Sequence, residues 1–167
     1  IASATALRED TIFRIYSMTK PITSVAMMTL MEQGHFELDD AAKRWIPALA
    51  GLEVYGQGKI ESDITIRQLL THTAGFSYGF QPDKYPVDEL YAEIWRSRIQ
   101  DQTLEHILQI IFKLPLVAQP GSLWHYSVAT DVCGYLVELI SGMPLADYLQ
   151  QTIFDPLQMV DTAFEVP

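Results

Sequence analysis

From about residue 18 to residue 33 the chain carries apolar side chains on a broad helical face: Ile22, Val25, Met28 and Met31, with Ala26, Met27 and Leu30 beside them. A helix with so wide an apolar surface must be covered by other elements, so the chain has to build a layered core around it. Gly34 supplies its stop. The Met27, Met28 and Met31 cluster reads as core filler, the use to which flexible thioethers are most often put.

Beyond Gly34 the chain is again mainly helical in period. "LDDAAKRWIP" reads as an aspartate cap, a short helix and a proline stop, and "GLEVYGQGKIESD" as a glycine-rich connection. "ITIRQLLTHTAG" gives a Thr65 cap, a short amphipathic helix and Gly75 as its end. Residues 87–99 and 103–113 read as two more helices, the second with Leu104, Ile107, Leu108 and Ile111 on one side and Pro115 as its stop. "VATDVCGYLVELISG" turns Val132, Tyr135, Leu136, Leu139 and Ile140 inward and stops at Gly142, and "PLADYLQQTIF" is a last short helix. Only "TIFRIY", residues 11–16, has the β-branched and aromatic content of a strand end.

A chain of 167 residues with 49% hydrophobic and 19% charged residues is long enough for one domain with a real core. No apolar run reaches the eighteen or so residues of a membrane span, and no signal sequence opens the chain, so no membrane partner is expected. A formal charge of -10 argues against nucleic acid as a partner. The single cysteine, Cys133, excludes an internal disulfide and reads as a small buried apolar group. The four histidines show no metal-ligand spacing, so neither a metal nor another cofactor is implied. The chain starts at Ile1 and closes on the extended apolar run "DTAFEVP", which suggests one partial domain over residues 1–167, truncated at both ends.

The chemistry concentrates in "YSMTKP". Three residues apart at a helix start, Ser17 and Lys20 present a hydroxyl and an amine to the same space. A serine hydroxyl attacks a carbonyl only when a neighbour takes its proton, and a lysine can do so when burial or nearby positive charge keeps it neutral. At a helix N-terminus, the serine's own N–H would point toward a developing oxyanion. A serine there is equally a routine cap, and the spacing alone leaves both roles open.

The longer stretches "DTIFRIYSMTKPITSVAMMTLMEQGHFELDD", "ITIRQLLTHTAGF", "PGSLWHYSVATDVCGYLVELISG" and "IFDPLQMVDTAF" resemble, in order and spacing, the serine β-lactamase-like superfamily. They look most like the branch of class C β-lactamases and family VIII carboxylesterases. The resemblance implies an α/β (α+β) fold of the β-lactamase/transpeptidase type. Residues 1–167 would be its mainly helical part, most of the antiparallel sheet and a K-T-G-like third motif lying outside. It also implies that Ser17 is the acylated nucleophile, Lys20 its base partner and Tyr126 the tyrosine that opens a Y-x-N-type motif. A phenol beside an ammonium has its pKa lowered and can pass a proton between nucleophile and leaving group.

One position departs from the pattern. Val128 stands where a penicillin-recognising relative carries asparagine, which removes an amide from the substrate-binding side of the site and favours simple esters over β-lactams. The expected activity is therefore hydrolysis of a small carboxylic ester or amide through an acyl-enzyme on Ser17. The alternatives are a β-lactamase or penicillin-recognising D-amino peptidase, and a non-catalytic scaffold. His72 in "LLTHTAG" is expected to serve structure rather than act as a base. His125, next to Tyr126, should point away from the pocket by alternation along an extended segment.

Overall fold

Helix α5 (Ala129–Ser141) is the element around which the rest is arranged, in a computed structural model that describes residues 6–97 and 102–165. Residues Ala129, Thr130 and Val132 to Val137 are buried, so the helix is apolar nearly all round and has to lie inside. Packed on it are α1 (Thr19–Glu32), α2 (Ile66–Leu70), α4 (Leu104–Ile111) and α6 (Leu145–Leu149). Helix α3 (Asp88–Arg96) adds Tyr91 and Ile94 to the same core. Each such large apolar side chain contributes roughly 1.5–3 kcal/mol on burial. Gly134 allows the close approach: a Cβ there would lie 2.9 Å from Leu145 Cδ2, 3.6 Å from Leu104 Cδ2 and 3.9 Å from Thr23 Cγ2.

The expected helices form, with differences at their edges. Thr65 caps α2 through a full capping box, its hydroxyl accepting from Gln68 N–H while Gln68 accepts from Thr65 N–H. Gly34 and Gly142 end α1 and α5 in the left-handed conformation. Helix α4 ends at Ile111, short of Pro115; α3 closes at Arg96 with Ser97 as its C-cap, and positions 98 and 99 of the expected helix lie outside the described residues. The inward stripe of α1 is Thr23, Ala26, Met27 and Leu30, and this rotation leaves Val25 exposed; Leu139 on α5 is exposed for the same reason.

Three local expectations fail for physical reasons. Residues 11–15 form no strand, because no described segment pairs with them and Ile12, Phe13 and Ile15 stay exposed. The aspartates of "LDDAAKRWIP" cap nothing: Asp39 is drawn into a two-pronged pair with Arg67 and Asp40 accepts from Glu37 N–H, which leaves only 3-10 turns at Ala42–Arg44 and Pro47–Gly51. Gly75 does not end α2, which closes at Leu70, with His72 taking the left-handed conformation. Gly75 is instead required by close packing, since a Cβ would sit 2.4 Å from the Ala118 carbonyl oxygen.

Among the described residues the only sheet is a hairpin of β1 (Glu53–Val54) and β2 (Gly58–Lys59). Residues 72–77 run beside 117–128 through backbone bonds from Val117 N–H to Gly75, Gly121 N–H to Thr73 and His125 N–H to His72. That seam delivers Tyr126 to the start of α1. No helix among the described residues is long and apolar enough to cross a membrane.

Candidate active site

Ser17 lies in a 3-10 turn (Tyr16–Met18) that runs directly into α1, whose N-cap is Met18. Pro21 is therefore the third helical residue, where the N–H has no intrahelical partner, and it costs no hydrogen bond. Tyr16 is held at φ 45, a strained conformation for an aromatic residue, immediately before Ser17.

The structure brings Ser17, Lys20 and Tyr126 together. Tyr126 donates its hydroxyl proton to Ser17 Oγ at 2.6 Å, and Lys20 Nζ approaches the same oxygen at 3.4 Å. Residues 109 apart in sequence thus share one hydroxyl. The Lys20 ammonium also lies 4.7 Å from the centre of the Tyr126 ring and 5.1 Å from that of Tyr78. Burial alone would push the Tyr126 phenol up, but its hydrogen bonds to Lys20 and Ser17 and the Lys20 charge outweigh this and hold it below the ordinary tyrosine value.

Two residues that the sequence did not single out complete this wall. Tyr78 donates its hydroxyl to Asp131 Oδ2 at 2.9 Å, and burial, with Asp131 beside it, pushes its phenol far up, so it stays protonated. Asp131, on α5, is raised by burial while Tyr78 and Lys20 oppose the shift. Asp131 follows Tyr126 by five residues in the sequence, but no local signal ties either residue to Tyr78. The five polar groups line a cavity of about 750 Å³, whose lining also includes Leu104, Ile107 and Leu145.

Val128 does not reach this cavity. It is fully buried at the N-cap of α5 and belongs to the core, because an apolar side chain gains more by packing inward than by facing an open site. His125 turns away, as alternation suggests, into a second polar cluster with Ser77 and Asp88. Cys133 is fully buried, its thiol pushed up to about 12 by burial and by Asp131, and is inert for nucleophilic work. No three His, Cys, Asp or Glu side chains among the described residues converge as a metal site.

The Beta-lactamase family model matches residues 1–167. The chain is 36% identical over 158 residues to esterase EstB of Burkholderia gladioli, covering 95% of this chain and 40% of that protein. It is 32% identical over 169 residues to the monacolin J acid methylbutanoyltransferase of Aspergillus terreus, covering 96% and 40%. Among solved structures, a LovD9 mutant of simvastatin synthase from Aspergillus terreus superposes with a TM-score of 0.75 at 33% identity, over 95% of this chain and 41% of that one. The chain spans about 40% of the length of the curated relatives it matches. The superposition gives it the β-lactamase/transpeptidase fold, represented by a mostly helical segment.

Proposed function

Because this chain belongs to the Beta-lactamase family, we propose that it carries the nucleophilic half of a serine esterase. In the reactive form Tyr126 has lost its proton to solvent and Lys20 holds the phenolate's charge; Ser17 Oγ then attacks the carbonyl of a small carboxylic ester and passes its own proton to that phenolate oxygen. The alcohol leaves with the proton, the acyl group stays on Ser17, and water then attacks the acyl-enzyme with the same groups taking its proton, releasing the acid. The observation that carries this reading is the position of Ser17 Oγ, 2.6 Å from a phenol with a lowered pKa and 3.4 Å from an amine, at the edge of a cavity. The apolar side chains Leu104, Ile107 and Leu145 in the cavity lining favour plain acyl groups over an acylamino side chain. In the full-length protein a short-chain p-nitrophenyl ester should give a higher kcat/KM than a chromogenic cephalosporin. The reverse ranking would make a β-lactamase the better description.

A second reading is acyl transfer to an alcohol in place of water. It is favoured by the relatives, one an esterase and one a methylbutanoyltransferase by name. Adding a primary alcohol to the ester assay and measuring the new ester against free acid separates the two.

A further inference from the structure

Tyr126 can take part in proton transfer only if its ring is held against Ser17, and the backbone around it is pinned from both sides by one residue. The His72 carbonyl accepts from His125 N–H at 2.8 Å, and His72 Nδ1 accepts from Ser127 N–H at 3.3 Å. The two bonds straddle residue 126. The imidazole also lies against the Tyr126 ring, centroids 5.0 Å apart, with the Trp124 ring edge-on at 6.4 Å. His72 is half-buried and holds a φ of 56, a conformation that few bulky residues adopt and that aims both its carbonyl and its ring at the 124–127 segment.

The protonation state follows from the partners. Ser127 Oγ accepts from Ala129 N–H and lies 3.4 Å from His72 Nδ1, so its own proton is free to face that nitrogen. With the Ser127 N–H aimed at it, Nδ1 must be bare, which places the proton of the neutral ring on Nε2. A proton on Nδ1 would set N–H against N–H and lose the Ser127 bond.

Resting on the acyl-enzyme reading above, the geometry points to His72 as a positioning residue for Tyr126 that works only in its neutral form, so that protonation of His72 uncouples Tyr126 from Ser17 and switches turnover off at acid pH.

The charged and titratable groups around the ring agree with this. Lys20 faces it from α1 and Tyr126 from the segment leading into α5, while Arg67 on α2 is committed to Asp39. Burial first, and then the Lys20 charge, hold His72 below the ordinary histidine value. The neutral ring is therefore the dominant form at neutral pH, and the acid limb falls below about 6.5.

The test uses His72→Asn, which tolerates positive φ and places an acceptor near the Nδ1 position without a titrating ring, and His72→Gly, which removes the side chain without backbone strain. In the full-length protein, His72→Gly should lower ester kcat about 10- to 100-fold, the cost of a misplaced proton-transfer group. His72→Asn should keep kcat close to wild type at pH 8 and flatten the acid limb, which His125→Asn should leave in place. Two readouts need no turnover: ¹⁵N NMR should find His72 as the Nε2–H tautomer, and Ser127 amide exchange should speed up in His72→Gly but not in His72→Asn. An acid limb that survives in His72→Asn, or an Nδ1–H tautomer, overturns the role of His72. Turnover that survives Ser17→Ala would refute the acyl-enzyme instead, while the tautomer and Ser127 exchange still judge His72 alone.

Discussion

Two serines in this chain each share a hydroxyl with two polar side chains, and they are built for opposite ends. Ser17 is exposed at a cavity, accepts from the Tyr126 hydroxyl and lies beside the Lys20 amine. Ser77 is fully buried with Asp88 and His125, a residue set that looks like a hydrolytic triad when written out as letters. Its order is wrong for that. Ser77 donates its only proton to Asp88 at 2.6 Å, so His125 Nε2, at 3.0 Å, must be a donor to Ser77 and cannot act as its base. Ser77 Oγ also accepts from Gly79 N–H and Asp88 Oδ2 from Gln81 N–H, which makes the cluster a clamp on the 77–81 loop and thereby on Tyr78. A nucleophile is distinguished by exposure and by which neighbour can take its proton, rather than by the identities of the residues around it.

The largest effects should separate these serines. Ser17→Ala should lower ester turnover by about 10⁴-fold or more, whereas Ser77→Ala should leave turnover within an order of magnitude at temperatures where the protein stays folded. Equal losses in the two variants would erase the distinction. Next, Lys20→Ala and Tyr126→Phe should each lower kcat by about 10²- to 10⁴-fold with little change in Tm, because the proposed mechanism uses both in proton transfer and both stand at an open site. A near-normal kcat in either variant removes that residue from the mechanism.

The buried cluster should reveal itself in stability. Ser77→Ala leaves the Asp88 carboxylate and the His125 N–H short of a partner in the interior, a loss of about 1–3 kcal/mol, read as a Tm lower by several degrees. An unchanged Tm would mean that the clamp contributes nothing.

How much of this is legible in the sequence depends on how far apart the partners lie. Ser17 and Lys20 are one helical turn apart, and the Thr65 cap reaches only to Gln68, so local geometry exposes both. Tyr126 is reachable only through the family resemblance. The links from Tyr78 to Asp131 and from Ser77 to His125 span 53 and 48 residues and carry no periodic signature. "TIFRIY" fails as a strand because β-propensity describes a fit to a neighbouring strand, and the Asp39 cap fails because Arg67, 28 residues away, offers a stronger partner than backbone N–H groups do.

The smallest expected effect is on pH. His72 and His125 are both held below the ordinary value, each chiefly by burial; at His125, Asp88 opposes the shift and Lys84 adds to it. A depressed histidine binds its proton more readily in the unfolded chain. Its stabilisation is therefore complete above the unfolded value of about 6.5 and is lost as pH falls toward the folded values. Tm should decline modestly from pH 7 to pH 5, and the His125→Asn variant should show a shallower decline. A Tm that rises on acidification would contradict the assignment of neutral rings.

The claim that Ser17, and not Ser77, is the reactive hydroxyl is tested most directly by mapping where a fluorophosphonate serine probe attaches. Intact mass spectrometry of the full-length protein followed by peptide mapping should find one probe adduct, on the peptide carrying Ser17, and none in Ser17→Ala. An adduct on the Ser77 peptide, or labelling that survives Ser17→Ala, would contradict the account.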